Sequence, residues 1–377
     1  MQPMTENSQP EPFRLTPALD IMTRGVAARA FPGAALAVGH RGRLAILPAG
    51  LLAYSSDAAP VVAETIYDLA SLTKVVATTT AAMILTDRSL LDLDRPVAAY
   101  LHDFAPPFAM ATGPLWSARD EVTLRHLLAH TSGLPAYEKF FLRARKREHV
   151  IEEALALPLD EPPGRKTVYS DVGFILLGVI IEQAAKEPLD TFCRREIFEP
   201  LGMRSTCFNP SAELQPLIAP TEQDDLFRKR LIWGEVQDEN AWVMGGVAGH
   251  AGLFGTAGDL AAFCRMMLDE GTVGGRQLVQ PGTIGEFTRP WPAQQGASRG
   301  LGWDKPGAPS SSGRFFSPAS YGHLGYTGTS IWIDPEKDLF VVLLTNRVHP
   351  DRTNEAIKQI RPALHDAVVE TLAMSKG

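Results

Sequence analysis

Ser71 and Lys74 stand three residues apart in YDLASLTKVVATTTAAMIL, where an acidic, strand-like run gives way to a long apolar stretch of helical character. On the first turn of a helix, residues i and i+3 share a face, so the serine hydroxyl and the lysine ammonium are brought together. The hydroxyl also lies at the helix N-terminus, where unpaired N–H groups and the positive end of the dipole favour developing negative charge. A partly desolvated lysine at that distance can lose its proton and accept one from the serine. Four residues thus hold a nucleophile and its base. S-x-x-K alone equally describes a helix cap followed by a surface lysine, so the rest of the chain decides.

Two later stretches bear on that choice. In PPGRKTVYSDVGFILLGVIIEQAA, a Pro-Gly turn precedes Tyr169-Ser170-Asp171 and an apolar helix follows. In YGHLGYTGTSIWIDPEKDLFVVLLTN, His323-Leu324-Gly325 leads into a Gly- and Thr-rich segment and two β-rich runs. In this order the three stretches resemble the S-x-x-K, Y-x-N and K-T-G or H-x-G motifs of the serine β-lactamase and penicillin-binding-protein superfamily. The resemblance is strongest to class C β-lactamases, DD-peptidases and the esterases that share their fold. The flanking VTLRHLLAHTSGLP and NAWVMGGVAGHAGLFGTAGDLAAF are similar to the segments that precede the second and third motifs. The resemblance implies an α/β (α+β), β-lactamase/transpeptidase-like fold: an antiparallel sheet flanked by helices, an inserted all-helical domain, and a site in the cleft between.

The resemblance also assigns roles. Ser71 is the nucleophile, and Lys74 and Tyr169 share the proton transfer, a phenol beside an ammonium being able to relay a proton to the leaving group. Which of the two takes the serine proton is left open. The backbone N–H groups of Ser71 and Tyr326 form the oxyanion hole. Asp171, His323, Gly325 and Tyr137 face the substrate, with Gly325 and Gly328 permitting close approach of the strand. Two positions depart from the family pattern. Asp171 replaces an Asn and, when ionised, cannot donate to a substrate amide; it also holds Lys74 protonated, and it can equally cap the helix that begins at Val172. His323-Leu324 replaces Lys-Thr, trading a fixed positive charge and a hydroxyl for a mostly neutral imidazole and an apolar side chain. Both departures weaken recognition of an anionic, amide-bearing substrate.

The elements that must position these residues follow from periodicity. A helix is expected over 15–30, then strands in GAALAVGH and GRLAILPAG joined at His40-Arg41-Gly42. Helices are expected at Leu124–His130, Val150–Leu157, Val172–Ala185, Leu189–Ile197 and Gly258–Asp269, β-rich runs at 313–323, 329–334 and 339–345, and a closing helix over Asn354–Ala373. Strands at both ends with helices between them suggest an α/β domain from 12–87 and 241–377, a helical domain from 88–240, and a disordered tail over 1–11.

Composition bounds the function. The 377 residues are 45% hydrophobic and 21% charged, with a net charge of −7. That is ordinary globular composition without a basic patch, which argues against a nucleic-acid partner. MQPMTENSQPEPFRLTP has neither a basic n-region nor an apolar h-region, and no run of 18 apolar residues exists, so no membrane partner and a cytoplasmic location are expected, or a periplasmic one if a leader precedes this sequence. Cys193, Cys207 and Cys264 have no metal or disulfide spacing and read as buried free thiols. His126 and His130 lie at i and i+4 without the glutamate or third ligand of a zinc site and read as helix-end packing. His250, without a sequence partner, reads as structural. Gly296-Ala297-Ser298-Arg299-Gly300 matches G-x-S-x-G but has loop text on both sides instead of a strand and a helix. The expectation is therefore a serine hydrolase without metal or cofactor, acting through an acyl-enzyme on small esters. Alternatives are a DD-peptidase or class C-type β-lactamase acting on a β-lactam-like substrate, and an inactive binding or scaffold protein.

Overall fold

Apolar runs from the two ends of the chain build the central sheet. A computed structural model describes residues 14–104, 115–292 and 299–374. The tail expected over 1–11 and the serine of the G-x-S-x-G match lie outside them. Strands β1 (Gly33–His40), β2 (Arg43–Gly50), β3 (Tyr321–Leu324), β4 (Ser330–Asp334) and β5 (Leu339–Thr345) form one antiparallel sheet in the order β3-β4-β5-β1-β2. Strands β4 and β5 are buried along their whole length, and β1 in all but His40, so they read as near-continuous apolar text.

The parity of each strand sorts its side chains between two faces. Leu36, Val38, Trp332, Val341 and Leu343 pack with helix α1 (Thr16–Ala27) and the C-terminal helix α4 (Ile357–Met374). Ala35, Ala37, Ile331, Ile333, Val342 and Leu344 join the larger core that continues through α3 (Ala257–Leu268) into the helices of the chain's middle third. The most apolar of those is α2 (Asp171–Ala185), where nine residues from Val172 to Ile181 are buried.

Most expected elements form within a few residues of their sequence bounds. The β-rich run at 313–323 is the exception, because only Tyr321–Leu324 pairs with β4. Before that point Phe316 packs against Trp332 from irregular chain, whereas Phe315 stays exposed. The Leu189–Ile197 segment forms as an α-helix over Leu189–Cys193 and continues as a π-turn over Arg194–Phe198. Cys193 and Cys264 are buried thiols as expected, whereas Cys207 is only partly covered. Among the described residues no helix is long and apolar enough to cross a membrane.

Candidate active site

Ser71 sits on a turn that several hydrogen bonds hold in place. Asp68, in the short strand Tyr67–Asp68, accepts the Ala70 N–H at 2.8 Å and the Gln237 N–H at 2.6 Å. That pins Ala70 in the left-handed region (φ 47°), an unfavourable conformation for a residue with a Cβ and one often found beside functional groups. Burial pushes the Asp68 carboxyl up to about 6, against the pull of those N–H donors. After Ser71 the chain enters a π-helical run over Lys74–Thr79 before the α-helix Thr80–Asp87 begins, where sequence periodicity implied a regular helix throughout. The wide turn accommodates the threonine hydroxyls: Thr78 donates to the Gly249 carbonyl at 2.6 Å and Thr80 to the Val75 carbonyl at 2.8 Å.

The expected Ser71–Lys74 face exists. Lys74 Nζ is fully buried and donates to Ser71 Oγ at 3.0 Å and to the His250 carbonyl at 2.9 Å, and it pairs with Asp171 Oδ1 at 2.7 Å. Burial works to lower the lysine, but Asp171 and Tyr169 outweigh it and hold Lys74 above its usual range. Burial also raises the Tyr169 phenol, opposed by Lys74 and reinforced by Asp171. The Tyr169 ring centroid lies 4.9 Å from Lys74 Nζ, and its hydroxyl interacts with both Lys74 and Ser71.

Tyr169 and Asp171 reach this position because the 130–137 segment is stitched to them. The Val168 and Asp171 N–H groups donate to the His130 and Ala136 carbonyls, each at 2.8 Å, and Ser170 Oγ donates to the Pro135 carbonyl at 2.6 Å. Ser170, not Asp171, caps the helix: its hydroxyl accepts the Gly173 N–H at 3.1 Å, and α2 starts at Asp171. With Ser170 as the cap, the Asp171 carboxylate is left to pair with Lys74. Across the site, Gly249 packs so close to α2 that a Cβ there would overlap the Phe174 carbonyl, and this closeness delivers the His250 carbonyl to Lys74.

The third stretch closes the other side. Thr327 and Thr329 donate their hydroxyls to the Asp68 and Leu69 carbonyls at 2.8 and 3.1 Å, so the turn after β3 is tied to the chain that carries Ser71. A Cβ on Gly325 would overlap the Thr329 hydroxyl and stand 2.6 Å from the Leu69 carbonyl oxygen, so the close approach is to the Ser71-bearing segment. His323 is buried, its Nδ1 2.8 Å from the Leu324 carbonyl oxygen, and its ring lies 5.8 Å from that of Tyr169. Burial lowers its imidazole to about 4, which leaves it neutral at physiological pH. Among the described residues no hydrogen bond engages the Ser71 or Tyr326 backbone N–H.

Ser71, Tyr169 and Tyr326 are shared by two lobes of one cleft. One lobe, about 390 Å³, has aromatic walls from Tyr137, Phe141 and Phe227, with Asp171, Asp238 and Glu239 beneath them. Tyr137 is thus part of the cleft, 38% exposed, and Leu226 overhangs it at 92% exposure. The other lobe, about 340 Å³, runs past His323 and Gly325 towards α4.

Sequence reasoning missed several residues here. His250 lies 2.9 Å through Nε2 from Asp238 Oδ1, and Asp238 also accepts the Ala241 N–H at 2.7 Å to cap the helix Glu239–Val243. Burial opposes ionisation of Asp238, but His250 and the capping N–H bring it down to about 2. The Asp238 cap in QDENAWV was the available signal. His130 is not mere helix-end packing: its ring lies 4.6 Å from Tyr169 and 5.0 Å from Phe174, and its Nδ1 accepts the Ser170 N–H at 2.9 Å. His126 stays apart, in a reciprocal cap with Thr123. Among the described residues no group of three or more His, Cys, Asp or Glu is placed to hold a metal ion.

The chain is similar to known proteins in sequence and in fold. The family model described as Beta-lactamase matches residues 19–365. Proteins described as putative D-alanyl-D-alanine carboxypeptidases, from Salmonella agona (strain SL483) and Salmonella enteritidis PT4 (strain P125109), are each 36% identical over 317 residues. The match covers 78% of this chain and 72% of theirs. Among solved structures, a penicillin-binding protein homolog from Caulobacter crescentus superposes with a TM-score of 0.75 at 19% identity, over 96% of this chain and 99% of that one. EstCE1, described as a hydrolase with promiscuous acyltransferase activity, superposes with a TM-score of 0.70 at 22% identity, over 93% and 98% of the respective chains.

Proposed function

The chain belongs to the β-lactamase family of serine hydrolases, and from that premise we propose that it hydrolyses small carboxylic esters through an acyl-enzyme on Ser71. The observation that carries this reading is the triple contact of Lys74 Nζ with Ser71 Oγ, Asp171 and the His250 carbonyl. In the proposed cycle, Ser71 Oγ bonds to the substrate carbonyl carbon while its proton passes to the Lys74/Tyr169 pair. The oxyanion rests on the Ser71 and Tyr326 N–H groups, which no group among the described residues engages. The pair then returns the proton to the departing alkoxide, and water cleaves the acyl-serine by the same route. Asp171 supports an ester over an amide: its carboxylate is committed to Lys74 and offers no donor to an amide carbonyl.

A second reading, removal of a C-terminal D-alanine from a peptide, draws support from the description carried by the relatives at 36% identity. Initial rates on p-nitrophenyl butyrate, nitrocefin and an N-acylated peptide ending in D-Ala-D-Ala decide between them. Ester turnover with little of the other two is the expected result. Release of D-alanine as the fastest reaction would replace the ester reading, and rapid nitrocefin turnover would make the protein a β-lactamase.

The shifts at Lys74 and Tyr169 carry a pH prediction. A base works from its deprotonated form, and both groups are raised in the folded protein. That form is therefore scarce at neutral pH and grows as pH rises, so kcat/KM should climb into the alkaline range instead of levelling near neutrality. Asp171→Asn removes the larger of the two influences that raise Lys74 and leaves burial opposed by Tyr169 alone. The rising limb should move to lower pH, with the rate at pH 7 up by about tenfold. An unchanged pH profile would show that this ion pair does not govern the base.

A further inference from the structure

His250 and Asp238 form a pair beside Ser71 and Lys74 that the proposed cycle does not use, and both line the same lobe of the cleft as Ser71. The His250 side chain is buried. Its Nε2 lies 2.9 Å from Asp238 Oδ1, and its Nδ1 has no hydrogen-bond partner. A carboxylate only accepts, so Nε2 carries the proton of that bond. Burial works against the Asp238 charge, yet His250 and the capping Ala241 N–H bring the group down to about 2, and the bond is charge-assisted at neutral pH.

The contacts that set Ser71 and those that set Lys74 meet at this pair. Gln237, the residue before Asp238, donates its N–H at 2.6 Å to Asp68, the carboxyl that also holds Ala70 next to Ser71. The His250 carbonyl receives Lys74 Nζ at 2.9 Å. Gln237-Asp238 thus ties the serine's turn through a backbone N–H and the lysine's carbonyl partner through a side chain. That carbonyl belongs to a glycine-rich loop in which Gly246 and Gly252 hold positive φ (80° and 119°), and such chain has a wide conformational choice to lose. Thr78 fixes the Gly249 carbonyl, and the bond to Asp238 fixes the residue that follows. Of the other partners of Lys74, Asp171 is the charged one, at 2.7 Å. With the neutral carbonyl displaced, the ammonium is free to follow Asp171 and to lengthen its 3.0 Å contact with Ser71 Oγ.

We propose that the Asp238–His250 pair positions the base of the nucleophile: by fixing the His250 carbonyl, it keeps Lys74 Nζ against Ser71 Oγ. His250 is a positioning residue and takes no proton in the reaction. This deepens the ester-hydrolase reading and rests on it. It also gives His250, which in the sequence reads as structural, a task from outside the three motif stretches.

Substitutions of graded reach test it. In His250→Asn the amide is too short to meet Asp238, whereas in His250→Gln it stands where Nε2 stood. Asp238→Ser keeps an oxygen to cap the helix at Ala241 but cannot reach His250. Each protein is measured for steady-state turnover of p-nitrophenyl butyrate and for its second-order rate of labelling by a fluorophosphonate. His250→Asn should lower kcat by about tenfold to a hundredfold with KM within about twofold of wild type, and the labelling rate should fall by the same factor. His250→Gln should return kcat to within about threefold of wild type. Asp238→Ser should match His250→Asn in kcat, and the double variant should be no slower than the poorer single one, since both lose the same contact. A lowered melting temperature with unchanged kcat would make the pair purely structural and overturn the proposal. So would a loss carried by KM, or a double-variant loss equal to the product of the singles. A His250→Gln as slow as His250→Asn would also overturn it, by placing the imidazole itself in the chemistry. If His250→Asn does not fold, Asp238→Ser decides, with the cap retained. If the wild type is labelled but turns over no ester, the ester reading falls while the labelling rates still decide the positioning role; a wild type that does neither overturns both.

Discussion

Ser71→Ala should abolish ester hydrolysis, lowering kcat/KM on p-nitrophenyl butyrate by at least about a thousandfold. The nearest serine and threonine hydroxyls described are committed elsewhere. Thr73 is buried, donating to the Ala70 carbonyl at 2.6 Å and accepting the Leu253 N–H at 3.1 Å. Ser170 is committed to the Pro135 carbonyl and the Gly173 N–H, and the Thr78 hydroxyl points to the Gly249 carbonyl. The substitution deletes one of three contacts of Lys74, and Asp171 and the His250 carbonyl continue to hold the ammonium. The variant should therefore keep its melting temperature while losing turnover and losing labelling by a fluorophosphonate probe. Labelling that persists in Ser71→Ala would move the nucleophile elsewhere, and activity that persists would overturn the acyl-enzyme on this serine.

What could be read in the sequence and what could not divide along physical lines. Ser71 and Lys74 are three residues apart, so local helical geometry alone brings them together, and the spacing reveals it. Tyr169 and His323 could be found only through the resemblance of their stretches to the second and third motifs of the family. The contacts that assemble these stretches are long-range and made largely by backbone. The His250 carbonyl on Lys74, the Asp68 carbonyl under Thr327 and the Ala136 carbonyl on the Asp171 N–H involve groups that every residue carries, so side-chain identity gives no signal. The sheet was legible for the opposite reason: β1, β4 and β5 are nearly all apolar, and burial on both faces leaves that mark. The run at 313–323 misled because Phe316 is buried without being paired into a strand, and only Tyr321 onward joins the sheet. Arg347 and Arg361 escaped notice because an arginine in a polar-looking stretch or on an amphipathic helix reads as solvated. Only the fold shows that they are buried, Arg347 donating to the Tyr326 carbonyl and Arg361 to the Thr329 carbonyl.

Lys74→Met and Tyr169→Phe should each cost about a hundredfold to ten-thousandfold in kcat/KM, and the double variant should be little worse than the poorer single one. The reason is that Lys74 and Tyr169 are electrostatically coupled and both interact with Ser71, so removing either member disables the proton path they share. Two independent contributions would instead multiply. Tyr169→Phe is the cleaner variant, since it deletes a hydroxyl and retains the ring against His130 and His323. Lys74→Met has a second effect: it leaves the Asp171 carboxylate beside a buried apolar side chain, and losing one partner of a buried pair is strongly destabilising. A lowered melting temperature is therefore expected for Lys74→Met. Lys74→Met/Asp171→Asn should regain most of that stability, because no charge is then left unpaired, and it should stay as inactive as Lys74→Met. Recovery of folding together with activity would show that Lys74 serves only to neutralise Asp171. Recovery of folding without activity would place the lysine in the chemistry, and a double-variant loss equal to the product of the singles would separate its role from that of Tyr169.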